Sequence, residues 1–249
     1  MIDVSLIVTF HNEKILAHQT LSSIARARKY AYDHGISSEL VAVLDRADKE
    51  TAAIVRHHPD FLNQGRALEV DNGDAATSRN EGIRAATGNI VCIADGDDYY
   101  SENWIERSVH GLKAYGHQAI IHPEIVVTFG DSNFYHRQID QKDPDFNAAG
   151  LLSHNYWVAW ASSWKDTFER IPYQRTAPAQ TGFGYEDWHW NCETIASGYV
   201  HHLAEQTVGF YRRKKQGVLA SDNQSSAIIK PTALFEPLKA RSFLRGRRS

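Results

Sequence analysis

Three carboxylates lie within four residues, at Asp95, Asp97 and Asp98, directly after the apolar run from Ile90 to Ala94. Carboxylates this close repel one another, and a fold tolerates them where a cation or another donor answers the charge. The pattern predicts an acidic loop at the carboxyl end of a buried strand, where open α/β sheets bind ligands. The alternative is an acidic cap on the next helix, because Asp is also common in turns and caps.

Polar side chains also follow two earlier apolar runs. The first run ends in Thr9 and Phe10, with Glu13 close behind, and the second ends in Asp45. Carboxylates at these ends suit the donors of a nucleotide base and the hydroxyls of a ribose. Taken singly, Glu13 is also typical of a helix start and Asp45 of a turn. Together with Asp95, they predict a binding site where three strands end.

The pattern of apolar residues predicts the elements that must position these side chains. Strands are expected at 4–10, 40–44, 67–70, 90–94, 120–121, 125–128, 134–136 and 208–211. Helices are expected after residue 15 and at 48–57, 74–87, 101–115, 163–170 and 185–197. Alternating strands and helices favour a parallel α/β sheet with right-handed crossovers. Neither a Gly-x-Gly-x-x-Gly run nor a P-loop is present, which excludes an ordinary dinucleotide site and a P-loop NTPase.

Composition narrows the class of protein. The 249 residues carry a net charge of −3, which gives no global argument for binding nucleic acid. Cys92 and Cys192 are the only cysteines, too few for a disulfide framework or a zinc site, so we expect a reducing compartment. No apolar run approaches the roughly 20 residues of a membrane span, and no signal peptide is evident. We therefore expect a cytoplasmic protein.

The end of the chain differs from the rest. Residues 230–249 are basic, with scattered apolar side chains such as Phe243 and Leu244. We expect a linker or a solvated tail here, with peripheral contact at the inner face of a membrane, or with a second domain, as the alternative.

Four motifs in order resemble the inverting glycosyltransferases of family 2, which have the GT-A fold. The opening run Val-Thr-Phe-His-Asn-Glu at 8–13 resembles the first strand of the family, and 43–45 resembles the second. Asn72-Gly73-Asp74, followed by Ser-Arg-Asn-Glu-Gly at 78–82 and then the acidic loop, resembles the family's Asn-x-Gly, Ala-Arg-Asn-x-Gly and Asp-x-Asp-Asp. Gly-Tyr-Glu-Asp-Trp at 184–188 resembles the element that holds the catalytic base.

The resemblance implies one GT-A domain over residues 1–229, with a mixed, mainly parallel sheet flanked by helices. Residues 1–100 would form its nucleotide-binding half and residues 101–229 its acceptor-binding half. A divalent cation, Mn²⁺ or Mg²⁺, would neutralise the charge that the departing nucleoside diphosphate gains. Asp97 is the first choice as its ligand and Asp95 the second, although Asp95 also suits the ribose or sugar, with Asp98 in support.

The other donor contacts are implied by the same motifs. Asn72 and Gly96 belong to the motifs that surround the donor. Arg79 would contact the diphosphate, or would form a structural salt bridge to the acidic loop.

Family members often carry a metal- or phosphate-binding His after their last strand, as Tyr-Arg-x-His. This chain has Lys214 at that position, and a protonated Lys cannot ligate a metal. Lys214 and Arg212 would instead neutralise the diphosphate, so the metal would have fewer protein ligands or matter less. A solvated basic loop is the alternative.

The resemblance assigns Asp187 as the base that activates the acceptor hydroxyl, with Glu186 as the alternative. Tryptophans are frequent between residues 156 and 190, and an indole packs well on the C–H face of a pyranose. Trp188, next to Asp187, and Trp160 are therefore predicted to line the acceptor site.

The sequence thus predicts an inverting hexosyltransferase that uses a nucleotide sugar, most simply a UDP-sugar, and a glycan or glycolipid acceptor. The resemblance favours bacterial cell-surface polysaccharide or lipopolysaccharide synthesis. Two other functions are weighed against it. A sugar-nucleotide nucleotidyltransferase would need a Gly-rich basic loop after the first strand, and 9–14 is not one. A non-catalytic binding module would have lost the acidic loop or Asp187, and both are present.

Overall fold

The computed structural model describes residues 2–62, 65–214 and 226–236, and the nine strands in these residues join one mixed sheet. The strands are β1 (Val4–Phe10), β2 (Ser38–Asp45), β3 (Gly65–Val70), β4 (Ile90–Asp95), β5 (Tyr99–Tyr100), β6 (Ala119–Gly130), β7 (Phe134–Arg137), β8 (Ser162–Trp164) and β9 (Val200–Arg213). The helices are α1 (Ile15–Asp33), α2 (Lys49–His57), α3 (Pro59–Leu62), α4 (Ala75–Ala85), α5 (Trp104–Tyr115), α6 (Lys165–Arg170), α7 (Pro178–Thr181) and α8 (Glu186–Ala196). Short 3₁₀ turns lie at Ala148–Leu152 and Ala233–Phe235.

The spatial order of the sheet is β3-β2-β1-β4-β8-β6-β9-β5, and β7 pairs with the outer part of β6. The first four strands are parallel, and β6 and β9 form a second, longer parallel pair. β8, β5 and β7 add short antiparallel pairings. The predicted class, one α/β domain with a mixed and mainly parallel sheet, is confirmed.

Both faces of the parallel half are covered by helices, which is why its strands are nearly continuous apolar runs. In β1, Leu6 and Val8 pack into the core on the α1 side, whereas Ile7 packs into the core on the α4 side. Helix α4 lies very close to the sheet at Gly82, where a β-carbon would meet Ile7 at 2.3 Å. Only glycine permits this approach, which sets how α4 presents Arg79.

The second half departs from the predicted elements. The two strands expected at 120–121 and 125–128 are one strand, β6, with a register shift between Pro123 and Ile125. The strand expected at 208–211 is the end of the longer β9. The helix expected at 163–170 begins only at Lys165, because the preceding residues form β8. The expected helix at 101–115 begins at Trp104. At residues 163–164, the pairing of β8 with β4 and β6 overrides the local helical spacing.

The last described segment packs on α8. Ile228 bridges to Phe183, and Leu234 is buried beside Cys192 and Ile195. Residues 230–236 of the predicted tail therefore contact the domain, whereas 237–249, with Phe243 and Leu244, lie outside the described residues. The boundary at residue 229 stays a prediction. Within the described ranges, both cysteines are free and buried, and no helix is long and apolar enough to cross a bilayer.

Candidate active site

The carboxyl ends of β1, β2 and β4 meet at one edge of the sheet, as the sequence predicts. Thr9 pairs with Asp95 across the β1–β4 ladder. A β-carbon at Gly96 would lie 2.6 Å from the carbonyl oxygen of Thr9 and 2.5 Å from the ring of Phe10, so glycine is required where the acidic loop leaves the strand. Phe10 itself is 1% exposed and packs in the core. Its donor-binding role stays a prediction. Because the ring is buried, that role would fall to the backbone groups of Phe10.

Asp45 at the end of β2 is held by four hydrogen bonds. Its carboxylate accepts from the backbone N–H groups of Asn72 and Gly73 at 2.9 Å each and of Asp74 at 3.2 Å, and from the Ser78 hydroxyl at 2.9 Å. Asn72 also donates its side-chain amide to Ser78 at 3.0 Å. Asp45 therefore fixes the loop that enters α4. Its own contact with a donor, and that of Asn72, stay predictions.

Each carboxylate of the acidic loop has its own counter-charge or donor. Asp95 binds the guanidinium of Arg79 at 2.8 Å. Asp97 binds the ammonium of Lys214 at 2.5 Å. Asp98 is buried and accepts from the backbone N–H of Arg212 at 2.7 Å and from the indole of Trp160 at 3.1 Å.

Burial and mutual repulsion raise the pKa values of carboxylates in and near the acidic loop. Burial and the two neighbouring carboxylates raise the pKa of Asp98 well above its usual range. Burial also raises the pKa of Asp97, and Lys214 opposes that rise. Burial raises the pKa of Glu13 as well, and Asp97 adds to that shift. A ligand with positive charge, or one that brings a cation, is therefore favoured at this edge.

Arg79 joins the acidic loop to α8. Its guanidinium is 4% exposed and bonds Asp95 at 2.8 Å and Glu186 at 2.6 Å. It also lies 5.5 Å from the centre of the Tyr173 ring. Its desolvation is offset by the two carboxylates, which hold the pKa of Arg79 well above its ordinary value. Of the two roles weighed from sequence, the structure shows the salt bridge to the acidic loop, and a diphosphate contact stays a prediction.

The end of β9 brings two cations to the same edge. Arg212 donates to the carbonyl of Asp97 at 3.2 Å and to the Tyr99 hydroxyl, and it lies 4.4 Å from the centre of the Phe129 ring. Lys214, the last described residue of this strand region, is the ion-pair partner of Asp97. Both cations therefore contact the acidic loop, and their predicted contact with a donor stays a prediction.

Asp187 lies in the first turn of α8, behind a strained residue. Tyr185 has a φ of 53°, a left-handed conformation that is costly for a bulky side chain and turns the chain into the helix. Burial, and then the negative charge of Glu186, raise the pKa of Asp187 to about 7, against the opposing effect of Arg79. Asn155 donates its amide to Asp187 at 3.1 Å. A carboxylate with this pKa accepts a proton readily near neutral pH.

The two predicted acceptor tryptophans differ in exposure. Trp188 is half-buried and donates its indole N–H to the Leu151 carbonyl at 3.0 Å. Trp160 is fully buried between Tyr100 and the acidic loop, and its N–H holds Asp98. The contacts of Trp160 make it a support of the acidic loop. Its acceptor role stays a prediction that would need the ring to be uncovered.

Sequence reasoning missed Asn155, Asn191 and Tyr173. Asn155 precedes Asp187 by 32 residues and donates to it. Asn191, on the next turn of α8, donates to Asn155 at 3.0 Å. Tyr173 is buried beside Arg79. None lies in a recognisable motif. Only the four-residue spacing of Asp187 and Asn191 on one helix face was visible in the sequence.

Comparison with known proteins matches the sequence to one family. The model of glycosyl transferase family 2 matches residues 5–171. The chain belongs to that family. A curated relative, the uncharacterized glycosyltransferase EpsJ of Bacillus subtilis (strain 168), is 27% identical over 104 residues, which are 42% of this chain and 28% of EpsJ.

Solved structures share the fold of this family 2 chain. TarS residues 1–349 from S. aureus, in complex with UDP-GlcNAc, superposes with a TM-score of 0.62 at 13% identity, over 88% of this chain and 61% of that TarS segment. The mannosyltransferase PcManGT from Pyrobaculum calidifontis, in complex with GDP-Man and Mn²⁺, superposes with a TM-score of 0.58 at 22% identity, over 88% of this chain and 59% of PcManGT. The predicted GT-A fold is confirmed, and the chain spans less than two thirds of each of these relatives.

Proposed function

We propose that this chain is an inverting hexosyltransferase, which moves a sugar from a nucleotide-sugar donor to a hydroxyl of a glycan acceptor. The observation that carries the proposal is the bridge made by Arg79. Its guanidinium bonds Asp95 at 2.8 Å and Glu186 at 2.6 Å, which brings α8 and Asp187 to the edge that carries the acidic loop. A proton acceptor and a group of charges suited to a diphosphate thus form one site.

Asp187 is the base in this proposal. It accepts the proton of the acceptor hydroxyl while that oxygen bonds to the anomeric carbon of the donor. The bond between that carbon and the diphosphate oxygen breaks, and its electron pair leaves with the diphosphate. Attack from the face opposite the leaving group inverts the anomeric carbon, so an α-linked donor gives a β-linked product. Glu186 is less suited to this role, because it is bound to Arg79.

Carboxylates of the acidic loop fit a divalent cation. Mg²⁺ is usually held by one or two carboxylates together with substrate phosphates, and Asp97 and Asp95 are such a pair. Among residues 2–62, 65–214 and 226–236, no cluster of three or more His, Cys, Asp or Glu is arranged to hold a metal, so phosphate oxygens would complete the shell. When bound, Mn²⁺ or Mg²⁺ would neutralise the charge that develops on the diphosphate.

Lys214 and Arg212 supply positive charge from the chain itself. Lys214 lies on Asp97 at 2.5 Å and would turn to the diphosphate when a cation takes its place. Arg212 is held between Tyr99 and Phe129 and is oriented toward the acidic loop. Both would bind the diphosphate and orient the leaving group.

The nucleotide and the acceptor are the finer parts of the proposal. The resemblance to family 2 favours UDP, and the TarS structure holds UDP-GlcNAc, whereas the PcManGT structure holds GDP-Man. Half-buried Trp188 beside Asp187 would pack on the acceptor sugar. We assign the acceptor to bacterial cell-surface glycans or glycolipids, with the basic segment 230–249 as a contact to a membrane surface or a second domain.

Calorimetric titration with UDP and with GDP, each with and without Mn²⁺, tests the donor site. We expect UDP to bind more tightly than GDP, and Mn²⁺ to strengthen binding in wild type but not in Asp97→Ala. UDP-sugars are then screened with glycan acceptors, and proton NMR of the first product reports its anomeric configuration. A product that retains the configuration of the donor contradicts the inverting mechanism. Failure to bind either nucleotide contradicts the donor assignment.

A further inference from the structure

Asp187 is held by a pair of asparagines that belongs to none of the motifs. Asn155, in the loop after the first 3₁₀ turn, donates its amide Nδ2 to Oδ2 of Asp187 at 3.1 Å. Asn191, four residues after Asp187 on α8, donates its Nδ2 to Oδ1 of Asn155 at 3.0 Å. Asn191 is 2% exposed, so this second bond is shielded from water.

The orientation of the Asn155 amide is fixed by its partners. Its Oδ1 accepts from Asn191 and, at a longer 3.4 Å, from the backbone N–H of Trp157. An amide has one acceptor end and one donor end, so two donors at Oδ1 leave Nδ2 to face Asp187. The donor end cannot be exchanged with the acceptor end without breaking these bonds.

A neutral donor differs in effect from a cation. Glu186, one residue earlier, is bound by the guanidinium of Arg79 at 2.6 Å. A cation at that distance would hold Asp187 ionised and weaken it as a base. The amide of Asn155 fixes the carboxylate in space and adds no net charge, which leaves it able to take up a proton.

We propose that Asn155 is a positioning residue for Asp187, and that Asn191 acts through it by setting the direction of its amide. The inference rests on the proposed role of Asp187 as the base. Asn155 holds Oδ2 on the side of the loop at 153–157, so that the carboxylate meets the acceptor hydroxyl in one orientation.

Other groups also act on Asp187 and must be held constant in a test. Burial and Glu186 raise its pKa, and Arg79 and the backbone N–H of Trp188 lower it. The titratable groups that face it are Glu186 and Cys192 on α8, Arg79 on α4, Asp95 on β4, Tyr173 before α7 and Tyr211 on β9. The variants below leave all of them in place.

The test measures transfer against pH for Asn155→Ala and Asn191→Ala, with Asn103→Ala as the control. Asn103 donates its amide to the Gln206 carbonyl at 2.9 Å, away from Asp187, and its loss removes a bond of the same kind. For Asn155→Ala we expect kcat to fall about 10- to 100-fold and the acidic limb of the profile to move up by roughly one pH unit, because the ionised carboxylate loses a donor. The Kd for UDP stays at the wild-type value.

Asn191→Ala should shift the profile in the same direction by a smaller amount, and the double variant should equal Asn155→Ala alone. Asn191→Leu is a second test that keeps the size of the side chain and adds no charge. A leucine there cannot donate to Asn155, so the same small upward shift as in Asn191→Ala is expected. Additive effects of the two alanine variants, or a profile that matches Asn103→Ala, would overturn the inference.

Asp187→Asn separates this inference from the proposed function. If Asp187→Asn transfers sugar at the wild-type rate, the assignment of the base fails and the inference fails with it. If Asp187→Asn is inactive but Asn155→Ala keeps the wild-type profile, only the role of Asn155 fails. Thermal unfolding and UDP binding of each variant confirm that it is folded.

Discussion

The turn after β2 and the turn before α8 both place a carboxylate next to a left-handed residue, at the edge of the sheet where β1, β2 and β4 end (the active edge). Arg46, which follows Asp45, has a φ of 49°, and Tyr185, two residues before Asp187, has a φ of 53°. Asp45 accepts four hydrogen bonds, three of them from backbone N–H groups. Among the residues that the structure describes, Asp187 has one side-chain donor, the neutral amide of Asn155, and it is flanked by another carboxylate.

The difference separates a structural carboxylate from a reactive one. Four donors satisfy the lone pairs of Asp45, which holds the loop at 72–74 in place. Asp187 is desolvated, beside the negative charge of Glu186, and its pKa rises to about 7. Backbone strain occurs at both places, so strain alone does not mark the chemistry. The same substitution at each carboxylate, Asp to Asn, is the sharpest way to test the contrast.

Asp187→Asn should have the largest effect on activity. An amide of the same shape cannot accept the proton, so we expect the transfer rate to fall about 1,000-fold. The Kd for UDP should change less than about threefold, and the free energy of unfolding should not fall, because the substitution removes a desolvated charge. Steady-state kinetics, calorimetry and denaturant unfolding measure these three quantities. Retention of transfer would make Glu186 the next base to test.

Asp45→Asn should show the opposite pattern. Replacing one carboxylate oxygen by an NH₂ group leaves buried donors unsatisfied, so we expect the free energy of unfolding to fall by about 3 kcal/mol. The loop at 72–74 loses its anchor, and UDP binding weakens with it. Urea unfolding of Asp45→Asn beside Asp187→Asn measures the contrast. Equal stability of the two variants would contradict the structural role of Asp45.

The pH dependence of the reaction sharpens the same contrast. With a pKa of about 7, Asp187 is protonated at low pH, so the transfer rate should fall about tenfold for each pH unit below 7. The pKa of Asp187 is higher in the folded than in the unfolded state. The stability that its protonation contributes is therefore fully present below pH 4 and is lost as the pH rises through 7. The stability of wild type should therefore fall relative to Asp187→Asn between pH 4 and 7. Parallel stability curves would contradict the raised pKa.

Lys214→Met should have the smallest effect. Its ion pair with Asp97 is partly exposed, and such pairs contribute little to stability. We expect the free energy of unfolding to stay within about 0.5 kcal/mol of wild type, and the Kd for UDP without metal to rise about fivefold. Arg213→Met, which removes a positive charge one residue away, is the control. If the two variants weaken UDP binding equally, Lys214 has no specific role in the donor site.

The parallel half of the sheet and the types of residue at the active edge were predictable from the sequence. β1, β2 and β4 are apolar runs that end in polar residues, and strand ends must meet at one edge once the sheet is parallel. The acidic loop, Asp45, Arg79 and Asp187 were visible for the same reason, because each lies in a short motif or directly after a strand. These are local patterns, and local patterns are what a single sequence displays.

The tertiary structure alone decided which of these residues face each other. It joined Asp95 to Glu186 through Arg79, placed Lys214 on Asp97, and buried Trp160 against Asp98. It also brought Asn155 to Asp187 across 32 residues of chain. Side-chain partners so far apart in sequence depend on how β6, β8 and β9 pair and on where α8 packs. The sequence therefore determined the types of groups at the active edge. Packing determined the partners of each group, and burial and these partners set its pKa.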